Sequence, residues 1–90
     1  MYPSEIKAKS VADIIIKAAR NYADAHKYFG RKFDDLFENG DGEHVVVEFI
    51  KLYKTNNQLQ EASKKVDHWL NIDNWLKTYE RWEQRNPTLF

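Results

Sequence analysis

The chain of 90 residues contains no cysteine, two prolines and three glycines, and no apolar run is longer than three residues. Without cysteine, the chain has no disulfide framework, no thiolate zinc site and no cysteine nucleophile. The short apolar runs exclude a membrane-spanning segment and a signal-peptide core, so we expect a cytoplasmic protein with no membrane partner. This length allows one hydrophobic core, and residues 1–90 are therefore expected to form a single domain.

Charge is balanced in total but uneven along the chain. The chain contains fourteen Lys and Arg residues and fourteen Asp and Glu residues. This balance excludes a polybasic arm or an acidic tail as the dominant feature. Residues 1–32 have a balance of +4, residues 33–48 a balance of −6 and residues 49–90 a balance of +2. The six acids of the middle block fall within residues 34–48, called the acidic segment below.

Apolar residues recur at helical spacing in almost every part of the chain. The predicted helical stretches are a first helix from residue 4 or residue 10 to Gly30, a short helix over 31–38, and helices over 43–55, 59–70 and 72–85, the last ended by Asn86 and Pro87. Gly40 and Gly42 mark the one clear internal loop, in which Asp41 is expected to cap the following helix. We therefore predict an all-α fold, a compact single-domain bundle of four main helices plus one short helix.

The stretch 43–55 is the ambiguous one, because Val45, Val46 and Val47 favour a strand by propensity. The stretch lacks strict alternation, and one isolated strand would have no partner elsewhere, so a helix is predicted. Two aliphatic residues, Ile16 and Val47, fall outside the apolar stripes of their helices. They are expected to be exposed and to hint at a contact surface.

No catalytic or metal-binding pattern is complete. The chain lacks a Gly-x-Ser-x-Gly turn and a phosphate-binding Gly-x-x-x-x-Gly-Lys loop. The acidic loop fails as a calcium-binding EF-hand in either register, because Phe37 takes a ligand position in both. The histidines His26, His44 and His68 are too widely spaced to form a metal site. We therefore expect no enzymatic activity, no cofactor and no metal.

Aromatic residues are abundant, and three tryptophans fall within residues 69–82. Trp69, Trp75 and Trp82 all lie on apolar stripes, so we expect them in the core, where large rings let a small bundle bury more apolar area. Trp and Tyr are also favoured anchors of protein interfaces.

The last helix, 72–85, presents polar and basic residues opposite its apolar stripe. The candidates for contact with bases or phosphates are Asn74, Lys77, Arg81, Gln84 and Arg85. The preceding residues 61–66 resemble the first helix of a helix-turn-helix, which implies DNA as a partner. The resemblance stops at Asp67, which replaces the usual turn glycine, and at residues 68–70, which lengthen the connection.

The leading functional prediction is a small non-enzymatic protein that binds another protein, as inhibitors, immunity proteins and regulatory adaptors do. The acidic segment 34–48 is the candidate surface, since charge of one sign steers encounter with a basic partner. Its candidate residues are Asp34, Asp35, Glu38, Asp41 and Glu43. DNA binding by the last helix is the alternative, and a self-associating structural protein that forms a homodimer is the third hypothesis.

Overall fold

A computed structural model describes residues 3–38 and 40–85. The elements in chain order are α1 (Pro3–Arg20), a 3-10 turn (Tyr22–Asp24), α2 (Ala25–Tyr28), α3 (Arg31–Asp35), α4 (Gly42–Thr55), α5 (Asn57–Lys65), α6 (Asp67–Leu70) and α7 (Ile72–Arg85). The described ranges contain no β-strand. The all-α prediction and its four main helices are confirmed, and α1, α4, α5 and α7 are those four. The predicted short helix over 31–38 is α3, whereas α2 lies within the predicted first helix and α6 within the predicted helix over 59–70, which is divided at Val66.

The start of α1 follows the earlier of the two predicted positions. Pro3 suits the first turn of a helix, because a first-turn amide has no partner within the helix and none is lost. Ser10 lies inside the helix, and its hydroxyl donates a hydrogen bond to the carbonyl of Ile6 at 3.2 Å. The alternative start of this helix at residue 10 is therefore wrong.

The end of α1 differs from the prediction. The helix stops at Arg20 instead of continuing to Gly30, because Asn21 leaves the helical region with φ −130° and ψ 70°. The Asn21 side chain donates to the carboxylate of Asp24 at 3.0 Å, a local bond that competes with helix continuation. Tyr22, which lies within the predicted first helix, is consequently exposed.

The core lies between α1, α4 and α5, and α7 packs on α4 from another side. Its largest fully buried side chains are Val11, Ile15, Val45, Val47, Phe49, Ile50, Leu59, Val66 and Ser63. The predicted helix over 43–55 is confirmed as α4. The expected exposure of Val47 is wrong, since only 1% of its surface is accessible. Because α4 contacts α1, α5 and α7, its buried arc is wider than one stripe.

Polar contacts fix where the later helices begin and how they are connected. The Asn56 side chain accepts a hydrogen bond from the amide of Leu59 at 3.1 Å and so caps α5. Between α6 and α7, Asn71 adopts a left-handed conformation with φ 51°, while the Asp67 carboxylate accepts from the amide of Ile72 at 2.8 Å. This connection directs α7 onto α4, where Lys54 lies 4.3 Å from the centre of the Tyr79 ring. The predicted end of the last helix at residues 86–87 lies outside the described residues.

Candidate functional site

The carboxylates in the first half of the acidic segment are exposed and uncompensated. Asp34 and Asp35 belong to α3, and Glu38 follows in the next turn. Within the described residues, none of these three side chains forms an ion pair or a hydrogen bond. They are called the α3 acidic patch below. Same-sign charges this close in sequence do not stabilise one another. The patch therefore adds negative electrostatic potential at the surface and does not stabilise the fold.

The carboxylates in the second half of the acidic segment form ion pairs with other residues of the same chain. Asp41 forms an ion pair with Lys7 of α1, with 2.9 Å between Nζ and Oδ2. The Glu48 carboxylate lies 3.1 Å from Lys51, one turn further along α4. Glu43 pairs with Arg85 at the end of α7. The predicted five-residue surface is therefore divided, because Asp41 and Glu43 form ion pairs with α1 and α7, whereas the other three form none within the described residues.

The Asp41 carboxylate does not cap α4, contrary to the prediction. The residue occupies the N-cap position, but its side chain makes no hydrogen bond to the first-turn amides. Both carboxylate oxygens accept from Lys7 instead, at 3.2 and 2.9 Å. These two side chains are 19% and 25% exposed, which makes this the least exposed ion pair among the described residues. The packing of α1 on α4 brings them together.

An aromatic cluster lies between α3 and the later helices. Phe33, on the inner side of α3, meets Phe29 edge to face at 5.0 Å and stacks on Trp75 at 6.3 Å. Trp75 in turn meets Phe49 of α4 at 5.1 Å with the rings perpendicular. Such pairs contribute beyond the apolar area that they bury. The cluster therefore anchors the short helix that carries the α3 acidic patch.

Trp69 forms the outer edge of this cluster. Its ring stacks on Phe29, with 6.0 Å between centroids and 6° between planes. The side chain is nonetheless 42% exposed, so the prediction that it lies in the core is wrong. It belongs to α6, a four-residue helix that presents only Leu70 to the core. Trp69 and Phe29 are called the Trp69 stack below.

The last helix leaves its predicted nucleic-acid candidates on the surface. Asn74, Lys77, Arg81, Gln84 and Arg85 are all exposed. Arg81 donates to the hydroxyl of Thr78 at 3.2 Å, and Arg85 is held by Glu43. Arg81, Gln84, Arg85 and Glu43 line one shallow depression. A member of the predicted protein-binding set thus lies among members of the predicted DNA-binding set.

Residues for chemistry or metal binding are sparse in the described parts of the chain. No three His, Asp or Glu side chains in residues 3–38 and 40–85 lie where they could hold one ion. Ser63 is fully buried, and its hydroxyl has no hydrogen-bond partner within those ranges, so no base contacts this serine. None of the described helices is both long enough and apolar enough to cross a bilayer.

No protein-family model, curated protein or solved structure matches this chain. The candidate site is therefore defined by its geometry alone. It consists of the α3 acidic patch and the Trp69 stack, which are connected through the contact of Phe33 with Phe29.

Sequence reasoning missed Trp69 as a surface residue, although a signal for its exposure was present. Three polar residues, Asp67, His68 and Asn71, surround the pair Trp69–Leu70. An apolar segment of only two residues buries one of its side chains, and here that side chain is Leu70. No signal pointed to the contact of Lys7 with Asp41, which are 34 residues apart.

Proposed function

We propose that this protein is non-enzymatic and works by binding another protein through the α3 acidic patch and the Trp69 stack. The proposal is based on two features of one region: charged groups without ion pairs and an aromatic ring that the core covers only in part. Three exposed carboxylates lack ion pairs within the described residues, and Trp69, which is linked to α3 through Phe29 and Phe33, leaves 42% of its surface open. Large aromatic anchors surrounded by polar residues are typical of interface hot spots.

The chemistry of this corner favours a basic partner. Uncompensated carboxylates accelerate encounter with a positively charged surface and disfavour acidic proteins. Arginine fits best, because its guanidinium group pairs with carboxylates and also stacks on indole rings. The expected partner surface is therefore one in which arginines contact the α3 acidic patch while an apolar or guanidinium group covers Trp69.

The test compares two charge-reversed variants of the tagged protein in its native cells. The first reverses the patch (Asp34→Lys, Asp35→Lys, Glu38→Lys). The matched control reverses three exposed acids that also lack ion pairs within the described residues (Glu61→Lys, Glu80→Lys, Glu83→Lys). Both variants change the net charge equally, so only the location of the change differs.

Co-purification with nuclease treatment should yield the same protein with the wild type and the control variant, and lose it with the patch variant. Retention of that protein by the patch variant would contradict the proposal. So would the failure of the wild type to retain any protein once nucleic acid is digested.

DNA binding by α7 is the second candidate, supported by the exposure of all five of its predicted residues. Two features make it the weaker one. The exposed acids Asp73, Glu80 and Glu83 lie on the same helix. In addition, α7 packs mainly on α4, whereas the helices of a helix-turn-helix pack on each other. If α7 binds DNA, Lys77→Ala with Arg81→Ala abolishes a duplex mobility shift that also weakens steeply with salt.

Self-association remains a third prediction with less support. One of its two residues, Val47, is buried, and Ile16 is only partly exposed and packs against the core. Ile6, at 53% exposure, is the most open aliphatic residue on α1. The cytoplasmic location also stays a prediction, drawn from the absence of cysteine and of long apolar runs.

A further inference from the structure

A basic cleft lies where α1, α2 and the start of α3 meet. It encloses about 510 Å³. Its lining residues are Ile14, Lys17, Lys27, Tyr28, Gly30, Arg31 and Lys32. A cleft of this volume is within the range of sites that hold small molecules.

Cations from three helices converge on this cleft. Lys17 comes from α1, Lys27 from α2, and Arg31 and Lys32 from α3. Two carboxylates compensate part of this charge: Asp13 lies 3.0 Å from Lys17, and Asp24 lies 3.3 Å from Lys27. The four lining cations outnumber these two paired carboxylates, while Asp34 and Asp35, three and four residues after Arg31 on α3, also lower the positive potential there.

The two lysine ion pairs do not block the cleft. All four side chains are more than 40% exposed, and such exposed pairs are weak and exchange easily with another anion. Arg31 and Lys32 have no ion pair within residues 3–38 and 40–85. The cleft therefore holds two cations that are available at once and two that a stronger anion could recruit.

The remaining wall is apolar. Ile14 and Tyr28 are partly buried, pack against the core and line the same cleft. An inorganic anion would leave this wall uncovered. A ligand with a flat or apolar portion would cover it while its anionic end contacts the cations.

We propose that this cleft binds a small organic phosphate with two or more phosphate groups, of the nucleoside di- or triphosphate class. Arginine and lysine are the side chains that recognise phosphate, arginine through paired hydrogen bonds and lysine as a point charge. Four cations spread over three helices match several phosphate groups better than one. The base or sugar would lie against Ile14 and Tyr28. This site does not depend on the protein-binding function proposed above.

The experiment is calorimetric titration with ATP, without added metal and at low salt, of the wild-type protein and two double variants. Arg31→Gln with Lys32→Gln removes the two unpaired cations of the cleft. Lys64→Gln with Lys65→Gln removes two exposed lysines of α5 that do not line it. We expect the first variant to bind ATP about tenfold more weakly and the second to change binding by less than about twofold, because only the first loses charged hydrogen bonds to phosphate. Far-UV circular dichroism confirms that both variants keep their helices.

Two further arms test the nature of the ligand. ATP should bind more tightly than pyrophosphate, because pyrophosphate leaves the apolar wall uncovered, and ATP should shift the amide resonances of residues 14–32 and not those of α7. Equal weakening in both double variants, equal affinity for pyrophosphate, or no binding of ATP would overturn the proposal. Binding of a single-stranded oligonucleotide without binding of ATP would also overturn it and assign these cations to nucleic acid.

Discussion

The long helices and the short helices of this protein use different side chains and bury them to different extents. Where α1, α4 and α5 meet, the packing is mainly aliphatic, and Val11, Ile15 and Ile50 are completely buried. Where α2, α3 and α6 meet, the packing is aromatic, and Phe29 and Trp69 remain partly accessible. The long helices hold the fold, whereas the short helices carry the acidic patch, the aromatic stack and the basic cleft.

This difference follows from helix length. A helix of 18 residues such as α1 repeats its apolar stripe several times and covers a whole face of its neighbour. A helix of four or five residues offers only one or two positions to the core, and each short helix buries a single side chain: Ala25 in α2, Phe33 in α3 and Leu70 in α6. Few internal contacts leave such segments less stable locally, and binding surfaces are often drawn from such parts of a protein.

The largest expected effect is the truncation of a buried aliphatic residue in the long-helix core. Ile15→Ala should lower the free energy of unfolding by about 2–5 kcal/mol, because a cavity adds to the lost transfer energy. Ile6→Ala is the matched control on the same helix and should cost less than about 0.5 kcal/mol, since Ile6 is 53% exposed. Urea unfolding measures both. Similar values for the two variants would remove Ile15 from the core.

A smaller contrast is expected within the aromatic cluster. Trp75→Ala should cost about 2–4 kcal/mol, because its ring contacts Phe33, Phe37 and Phe49. Trp69→Ala should cost about 1 kcal/mol or less, because it loses mainly the stack on Phe29. Thermal and urea unfolding of the two variants compare them directly. If Trp69→Ala is the more destabilising change, Trp69 is structural and does not serve as an interface anchor.

The internal ion pairs should rank below the aromatic residues. Lys7→Met should cost about 1 kcal/mol, because it leaves the partly buried carboxylate of Asp41 without its partner. Lys17→Met is the matched change on the same helix and should cost less than about 0.5 kcal/mol, since both Lys17 and Asp13 are more than half exposed. A double-mutant cycle with Asp41→Asn isolates the coupling. Zero coupling would show that the acidic segment is not divided in the way described above.

The smallest effect on stability is expected from the acidic patch itself. The triple reversal of Asp34, Asp35 and Glu38 to Lys should leave the melting temperature nearly unchanged, because exposed charges contribute little to stability. Differential scanning calorimetry measures this. Unfolding of the variant would show that these carboxylates are structural.

The fold was predictable from the sequence because helical spacing repeats over long stretches. The helix over 43–55 was predicted despite three adjacent valines, since its apolar residues do not alternate. The end of α1 was not predictable, because the apolar spacing continues past Asn21 while the chain itself turns there. The burial of Val47 was also missed, because α4 contacts three other helices, and a single apolar stripe in the sequence does not show how many sides of the helix are covered.

The candidate site was only partly predictable. The charge composition indicates the acidic segment as a candidate surface. It does not distinguish Asp34, which has no ion pair within the described residues, from Asp41, which has one. That separation comes from Lys7, which is distant in sequence and is brought close by the packing of α1 on α4. The basic cleft was not predicted at all, because its cations come from α1, α2 and α3 and are brought together only by the packing of these helices.

The rate of association with the co-purified partner tests most directly the claim that the short helices form the binding surface. It is measured for the wild type, the patch reversal and the control reversal of Glu61, Glu80 and Glu83, at low and at high salt. We expect the patch reversal to associate roughly tenfold more slowly at low salt and to lose most of its salt dependence, while the control keeps the wild-type rate. Equal rates for the patch reversal and the wild type at both salt concentrations would contradict the claim.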